Sequence, residues 1–324
     1  MRRIISRSRV LGLAALALVG CGLARAETLT DGVFRVDYSG QDAELARRTL
    51  SELKRTSLEL ERRLPAGEEP IRVIICTKQI EFMRYAGTYS QTGVVGVAQP
   101  EAGIIAVKNP SLAPVGEDYF GTIRHELIHV LLARNVDSDN MPRWLNEGVT
   151  MTLSGEYRWE SRLQIADMYL RGRIINPLDL NFALSAPGSE MQFGEAYAES
   201  LSMTRFLMER LGDDTFWAML LSMRTQDFPD ALKHYSGWAP HELFDAWRHS
   251  LWKLALVSTV VSGFSLFQIM AILALVAYWR ARRRGKRIME QWEQEAAAEG
   301  EMSDDEDYDP WDDDVDDEDD VRRW

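Results

Sequence analysis

Apolar positions recur with two periods along this chain, and the changes between them outline its elements. Over residues 41–64 (QDAELARRTLSELKRTSLELERRL) leucines and alanines fall at helical spacing and stop at Pro65-Ala66-Gly67, which predicts an amphipathic helix. Residues 71–78 (IRVIICTK) form a continuous apolar run of strand length, as a central strand buried on both faces requires. Residues 93–110 (GVVGVAQPEAGIIAVKNP) read strand–turn–strand, punctuated by Pro100 and Gly103. Helical patterns then take over. One covers RHELIHVLL (124–132), and another opens at Met141-Pro142 with Trp144, Leu145 and Val149 as its packing face. Further helices are expected over 157–171 and 195–222, with a loop rich in Pro, Asn and Gly between them. One or two more are expected over 227–252. A helix, a small mixed sheet and a mainly helical remainder make an α+β domain.

The helix at 124–132 carries polar groups that a buried helix has no use for. His125 and His129 are four apart, so they stack on one face one turn above the other. Two imidazoles so placed can turn ring nitrogens toward one ion, most often zinc. Glu126 projects beside that position, where it can take a proton from water. Hydrogen-bonded core histidines are the bland alternative. With only five histidines in the chain, H-E-x-x-H is not expected by chance. Zinc also wants a third protein ligand. Eighteen residues after His129 stands Glu147, among apolar neighbours that make an unpaired carboxylate costly.

His125-Glu126-x-x-His129 followed by Trp144-Leu145-Asn146-Glu147-Gly148 resembles the gluzincin zinc peptidases, and in layout the small peptidase MA-like domain. The resemblance covers about residues 30–222. It implies one zinc ion on His125, His129 and Glu147, with Glu126 as general base in hydrolysis of a peptide or protein substrate. It also implies Tyr197, in Ala196-Tyr197-Ala198-Glu199-Ser200, as a donor to the developing oxyanion. In this family a sheet edge beside the zinc helix pairs with substrate, and Ile104–Lys108 is the expected edge. The amine-binding signature of the aminopeptidase branch is absent, since Gly96-Val97-Ala98-Gln99-Pro100 stands in its place. An endopeptidase is therefore the default. No carboxylate stands one turn after Glu147, where Thr150 and Met151 are found.

The ends place the domain. Four arginines in residues 2–9 precede an apolar run over 10–19, which reads as a secretory signal over 1–26. Its exit is either a cut after Ala24-Arg25-Ala26 or a lipobox ending at Cys21. Neither leaves a disulfide partner for Cys76, which reads as a small buried apolar residue. Residues 27–250 form the expected catalytic domain. Residues 254–279 are uncharged, long enough for a hydrocarbon core of about 30 Å, and are followed by six cations in residues 280–287. This predicts one membrane-spanning helix with the catalytic domain outside the cytoplasm. The charged juxtamembrane segment runs to 303, and residues 304–320 hold thirteen acidic residues. That block accounts for the whole net charge of −13, so overall acidity says nothing about the site. The tail reads either as a solvated segment or as a strip for a basic cytoplasmic partner. Nucleic-acid binding is disfavoured, because such a tail repels phosphate. Besides a peptidase, two other classes fit these features: a catalytically silent zinc-containing peptide-binding module, and a tethered sensor or scaffold acting through the tail.

Overall fold

Alternate residues of the strand Ile71–Cys76 enter two different cores, which explains why the whole run is apolar. Val73 and Ile75 join the main core with Leu53, Ile123, Leu127 and Leu131, whereas Ile74 and Cys76 pack with Phe82, Ala86 and Ala106 on the other face. The structure, a computed structural model, describes residues 26–87, 93–156, 159–185, 189–263 and 266–303. Residues 1–25 of the expected signal, with Cys21, and the acidic tail from 304 onward lie outside them.

Five strands make one mixed sheet: β1 (Ala26–Asp31), β2 (Phe34–Ser39), β3 (Ile71–Cys76), β4 (Gly96–Gln99) and β5 (Ile104–Lys108). The spatial order is β1-β2-β3-β5-β4. β2, β3 and β5 run parallel, while β1 and β4 are antiparallel to their neighbours. This corrects the expectation for Ile104–Lys108. β5 is enclosed between β3 and β4, and the edge facing the zinc-motif helix is β4. The order of strands in a sheet is a non-local property, so the strand nearest in sequence to that helix need not be the edge.

α1 (Ala43–Leu60) and α3 (Tyr119–Asn135) join the main core, and α2 (Gln79–Ala86) covers the opposite face of the sheet. α3 starts where the Asp118 side chain accepts the Gly121 N–H at 2.9 Å, an N-cap that satisfies one of the orphan donors. Six of its apolar residues are buried on several faces, so its polar residues stand out. α4 (Arg143–Ser154) follows, with Pro142 at its N-cap, and then α5 (Trp159–Leu170), α6 (Pro177–Ser185) and α7 (Glu190–Leu211). α8 (Asp213–Ser222), α9 (Phe228–Ser236) and α10 (Pro240–Gly263) complete this layer.

The predicted α+β order holds, with differences. The β1–β2 hairpin and α2 were not anticipated, and the expected loop before residue 190 contains α6, opened by Pro177. The single helix expected over 195–222 is broken at Gly212 into α7 and α8. Residues 254–279 are described in two parts, with 264 and 265 outside the described residues. The first ten continue α10, whose earlier turns carry Arg248 and Lys253. The last fourteen open α11 (Leu266–Ser303), which soon becomes highly charged. Among the described residues no helix is long and apolar enough to cross a membrane. The described residues up to 258 make one compact unit, and those from 259 onward, the end of α10 and α11, a second.

Candidate metal centre

α3 and α4 bring three side chains to one point. The Nε2 atoms of His125 and His129 are 3.0 Å apart, and Glu147 Oε2 lies 3.7 Å from the first and 3.4 Å from the second. Among the described residues this is the one cluster of three histidine, cysteine or carboxylate side chains able to share an ion. The helical repeat places the two imidazoles, and the approach of α4 supplies the carboxylate.

Two outer partners set the rings. His125 directs Nδ1 at Glu156 Oε1, 2.6 Å away, and His129 directs Nδ1 at Asn146 Oδ1, also 2.6 Å away. Both partners are oxygen acceptors, so each Nδ1 carries a proton, and Nε2 is the inward atom whose lone pair a neutral ring can offer to an ion. Ser154 Oγ donates to Glu156 at 2.8 Å, and Thr150 Oγ1 stands 3.3 Å from His129 Nδ1. Such partners fix tautomer and ring orientation in metal sites. Asn146 sits inside the quoted motif, yet nothing in the sequence marked its role. Glu156 lies 31 residues beyond His125 and just past the end of α4, which only the fold could show.

The electrostatics of the cluster call for a cation. Glu147 is 5% exposed, and its Oε2 is buried with no hydrogen-bond partner. Burial by itself raises a carboxyl pKa, but His129 and His125 outweigh it and hold Glu147 well below the usual carboxylate range. Burial likewise opposes charge on His125, yet the neighbouring carboxylates of Glu147 and Glu156 raise its pKa well above that of free imidazole. A buried place that draws protons onto a ring favours positive charge. A tetrahedral ion with bonds of about 2.0–2.1 Å holds its ligand atoms about 3.3–3.4 Å apart. The three separations, 3.0, 3.4 and 3.7 Å, bracket that value. The orphaned carboxylate oxygen and the two inward lone pairs therefore fit a metal ion.

Glu126 stands beside the cluster, 8% exposed. Burial chiefly raises its pKa, helped by Glu147 and Glu156 and opposed by the two histidines. β4 runs against it. A Cβ built on Gly96 would fall 2.4 Å from Thr122 Cγ2 and 3.0 Å from Glu126 Oε1, so only glycine lets the strand edge lie this close. Tyr197 reaches the same cleft from α7, its ring 4.6 Å from that of Phe193. Burial, then the charge of Glu147, pushes its phenol well above its ordinary pKa, so it remains a donor. Gly148 permits this placement. A Cβ there would lie 2.0 Å from Thr204 Oγ1 and 2.5 Å from the Ser200 carbonyl oxygen, so α4 and α7 meet backbone to backbone.

The cleft holding Glu126, both histidines, Glu147 and Tyr197 has a volume of about 440 Å³ and runs along β4. A larger hollow of about 510 Å³ between α5, α7 and α10 contains none of them. His234, His241 and His249, on α9 and α10, contribute nothing to the centre. Cys76 is a buried free thiol, pushed by burial up to about 12, which suits a packing residue.

A family model described as the Peptidase MA superfamily matches residues 63–253, more than half of the chain and all of the site. No curated protein matches the sequence.

Proposed function

Because the chain belongs to the Peptidase MA superfamily, we propose that it is a zinc-dependent endopeptidase of gluzincin type, with His125, His129 and Glu147 as metal ligands. The observation that carries this is the unpartnered Glu147 oxygen facing two inward imidazole nitrogens. Zinc bound there supplies Lewis-acid chemistry, polarising a carbonyl and making water nucleophilic at neutral pH.

The chain's own groups do the rest. Glu126 Oε accepts a proton from the attacking water and returns it to the leaving amine nitrogen. The Tyr197 hydroxyl donates to the carbonyl oxygen as charge develops there. The free edge of β4 pairs with the substrate main chain, in the role first expected of Ile104–Lys108. Glu156 and Asn146 hold the rings in register.

Anchoring in the membrane, with residues 27–250 outside the cytoplasm, belongs to the same proposal. Its support is the hydropathy of the sequence: 26 uncharged residues over 254–279, then six cations by 287. A basic cytoplasmic partner for residues 304–320 rests on charge alone.

Substituting Glu126→Gln tests the mechanism. Turnover of a peptide substrate should fall about 10²–10⁴-fold while the bound metal is retained. Unchanged turnover would remove Glu126 from its role.

A further inference from the structure

The cleft does not end at the metal centre. A second hollow of about 430 Å³ shares Val94, Gly96, His125 and Glu126 with the first and continues past the start of α3. Glu126 therefore stands between two chambers. It is nine-tenths buried, and no hydrogen bond from a described residue reaches its carboxylate. A group so placed has its partner in whatever occupies the cleft.

The two chambers differ in chemistry. Val97, Ala98, Met141 and Phe193 give the chamber of about 440 Å³ an apolar wall; Arg143 Nε lies 3.6 Å from Glu147, and Glu101 accepts a hydrogen bond from Ser138. Carboxylates dominate the other chamber, where Glu117, Asp118 and Glu156 line the wall with Arg124. Arg124 is committed to Glu52 at 2.9 Å, the Ser154 carbonyl and Asp118, so it neutralises little beyond those partners. Glu117 is exposed, and among the described residues no ion pair engages it. Glu156 gives one oxygen to His125 and Ser154, and its side chain is 40% exposed to the chamber.

Resting on the peptidase reading, we infer that this enzyme selects peptides with a lysine or arginine on one side of the cleaved bond, held by Glu117 and Glu156, and an apolar residue on the other. Both chambers meet at Glu126, so a chain lying along β4 places its scissile carbonyl there and one side chain in each. Exposed charge pairs are individually weak, worth at most about 1 kcal/mol or roughly five-fold, and they are screened by salt. The preference is therefore moderate and falls as ionic strength rises.

Profiling the full-length, zinc-loaded protein on a positional library of internally quenched peptides tests this. Wild type should favour Lys or Arg over Glu at one position on one side of the cut. Glu117→Lys should lower that ratio about five-fold through KM, leaving kcat and the apolar preference on the other side in place. An absent basic preference, or one that Glu117→Lys leaves intact, overturns the inference. A protein that holds its metal and cleaves no peptide ends the peptidase reading instead. Binding then decides this one, by anisotropy of labelled lysine-rich and glutamate-rich peptides. Tighter binding of the basic peptide, weakened by Glu117→Lys, supports it, and equal binding of the two contradicts it.

Discussion

Glu147 on α4 and Glu199 on α7 are two buried carboxylates on packed neighbouring helices, each with one oxygen that lacks a hydrogen-bond partner. Their charge states are opposite. Glu199 is fully buried and, among the described residues, accepts only the Ile175 N–H at 3.0 Å. Burial therefore dominates and pushes its pKa up to about 8, so it is neutral at pH 7. Glu147 is just as enclosed but faces two imidazoles, which keep it ionised. Burial alone neutralises a carboxyl group; a buried carboxylate that stays charged marks a place built for a cation. The α3–α4 contact is such a place. The α4–α7 contact is scaffold, close-packed through Gly148.

Exchanging each acid for its amide should separate the two regions most sharply. Glu147→Gln should lower metal affinity by more than the roughly 100-fold that outer partners contribute, and turnover with it. Glu199→Gln should leave metal affinity, read by competition with a chromophoric chelator, where it was. Equal losses in both would erase the distinction.

The pH dependence of stability has a definite sign at Glu199. Its folded pKa of about 8 lies above the unfolded value of about 4.3, so the unfolded chain releases this proton first. The stability it contributes is fully present below about pH 4.3 and is lost as pH rises toward about 8. Urea midpoints at pH 5 and pH 8 should show this fall, and Glu199→Gln should flatten it. Glu147 works the other way in the metal-free protein. Its depressed pKa gives stability that is present above the unfolded value and lost as pH falls below it.

Gly148→Ala probes the scaffold side. The added methyl meets the Ser200 carbonyl, a backbone atom that cannot turn away, so a cost of about 1–3 kcal/mol is expected. At about 2–4 °C per kcal/mol for a domain of this size, thermal melting should register it. An unchanged melting temperature would mean that the helices are not held so closely.

Glu156→Gln should give the smallest change. It keeps an oxygen for His125 but removes the charge, and metal affinity should fall about ten-fold, at the low end for outer partners.

The three proposed metal ligands are legible in the sequence because helical geometry is local: residues four apart must share a face, and an acidic residue in an apolar helix start must be explained. The strand 71–76 is legible for a similar reason, since burial on both faces leaves a continuous apolar run. Glu156 is not, because it reaches His125 only through the turn at Gly155. The edge strand is misassigned from sequence because strand order depends on how β4 folds back on β5, not on proximity along the chain. Nor does the sequence show the opposite charge states of Glu147 and Glu199, since these depend on what faces them from other helices.

X-ray absorption on the full-length protein, loaded with zinc and then freed of excess metal, tests the centre most directly. One zinc per chain is expected, with two imidazole nitrogens and a carboxylate oxygen at about 2.0–2.1 Å. A protein that retains no zinc, or a spectrum without imidazole scattering, would contradict it.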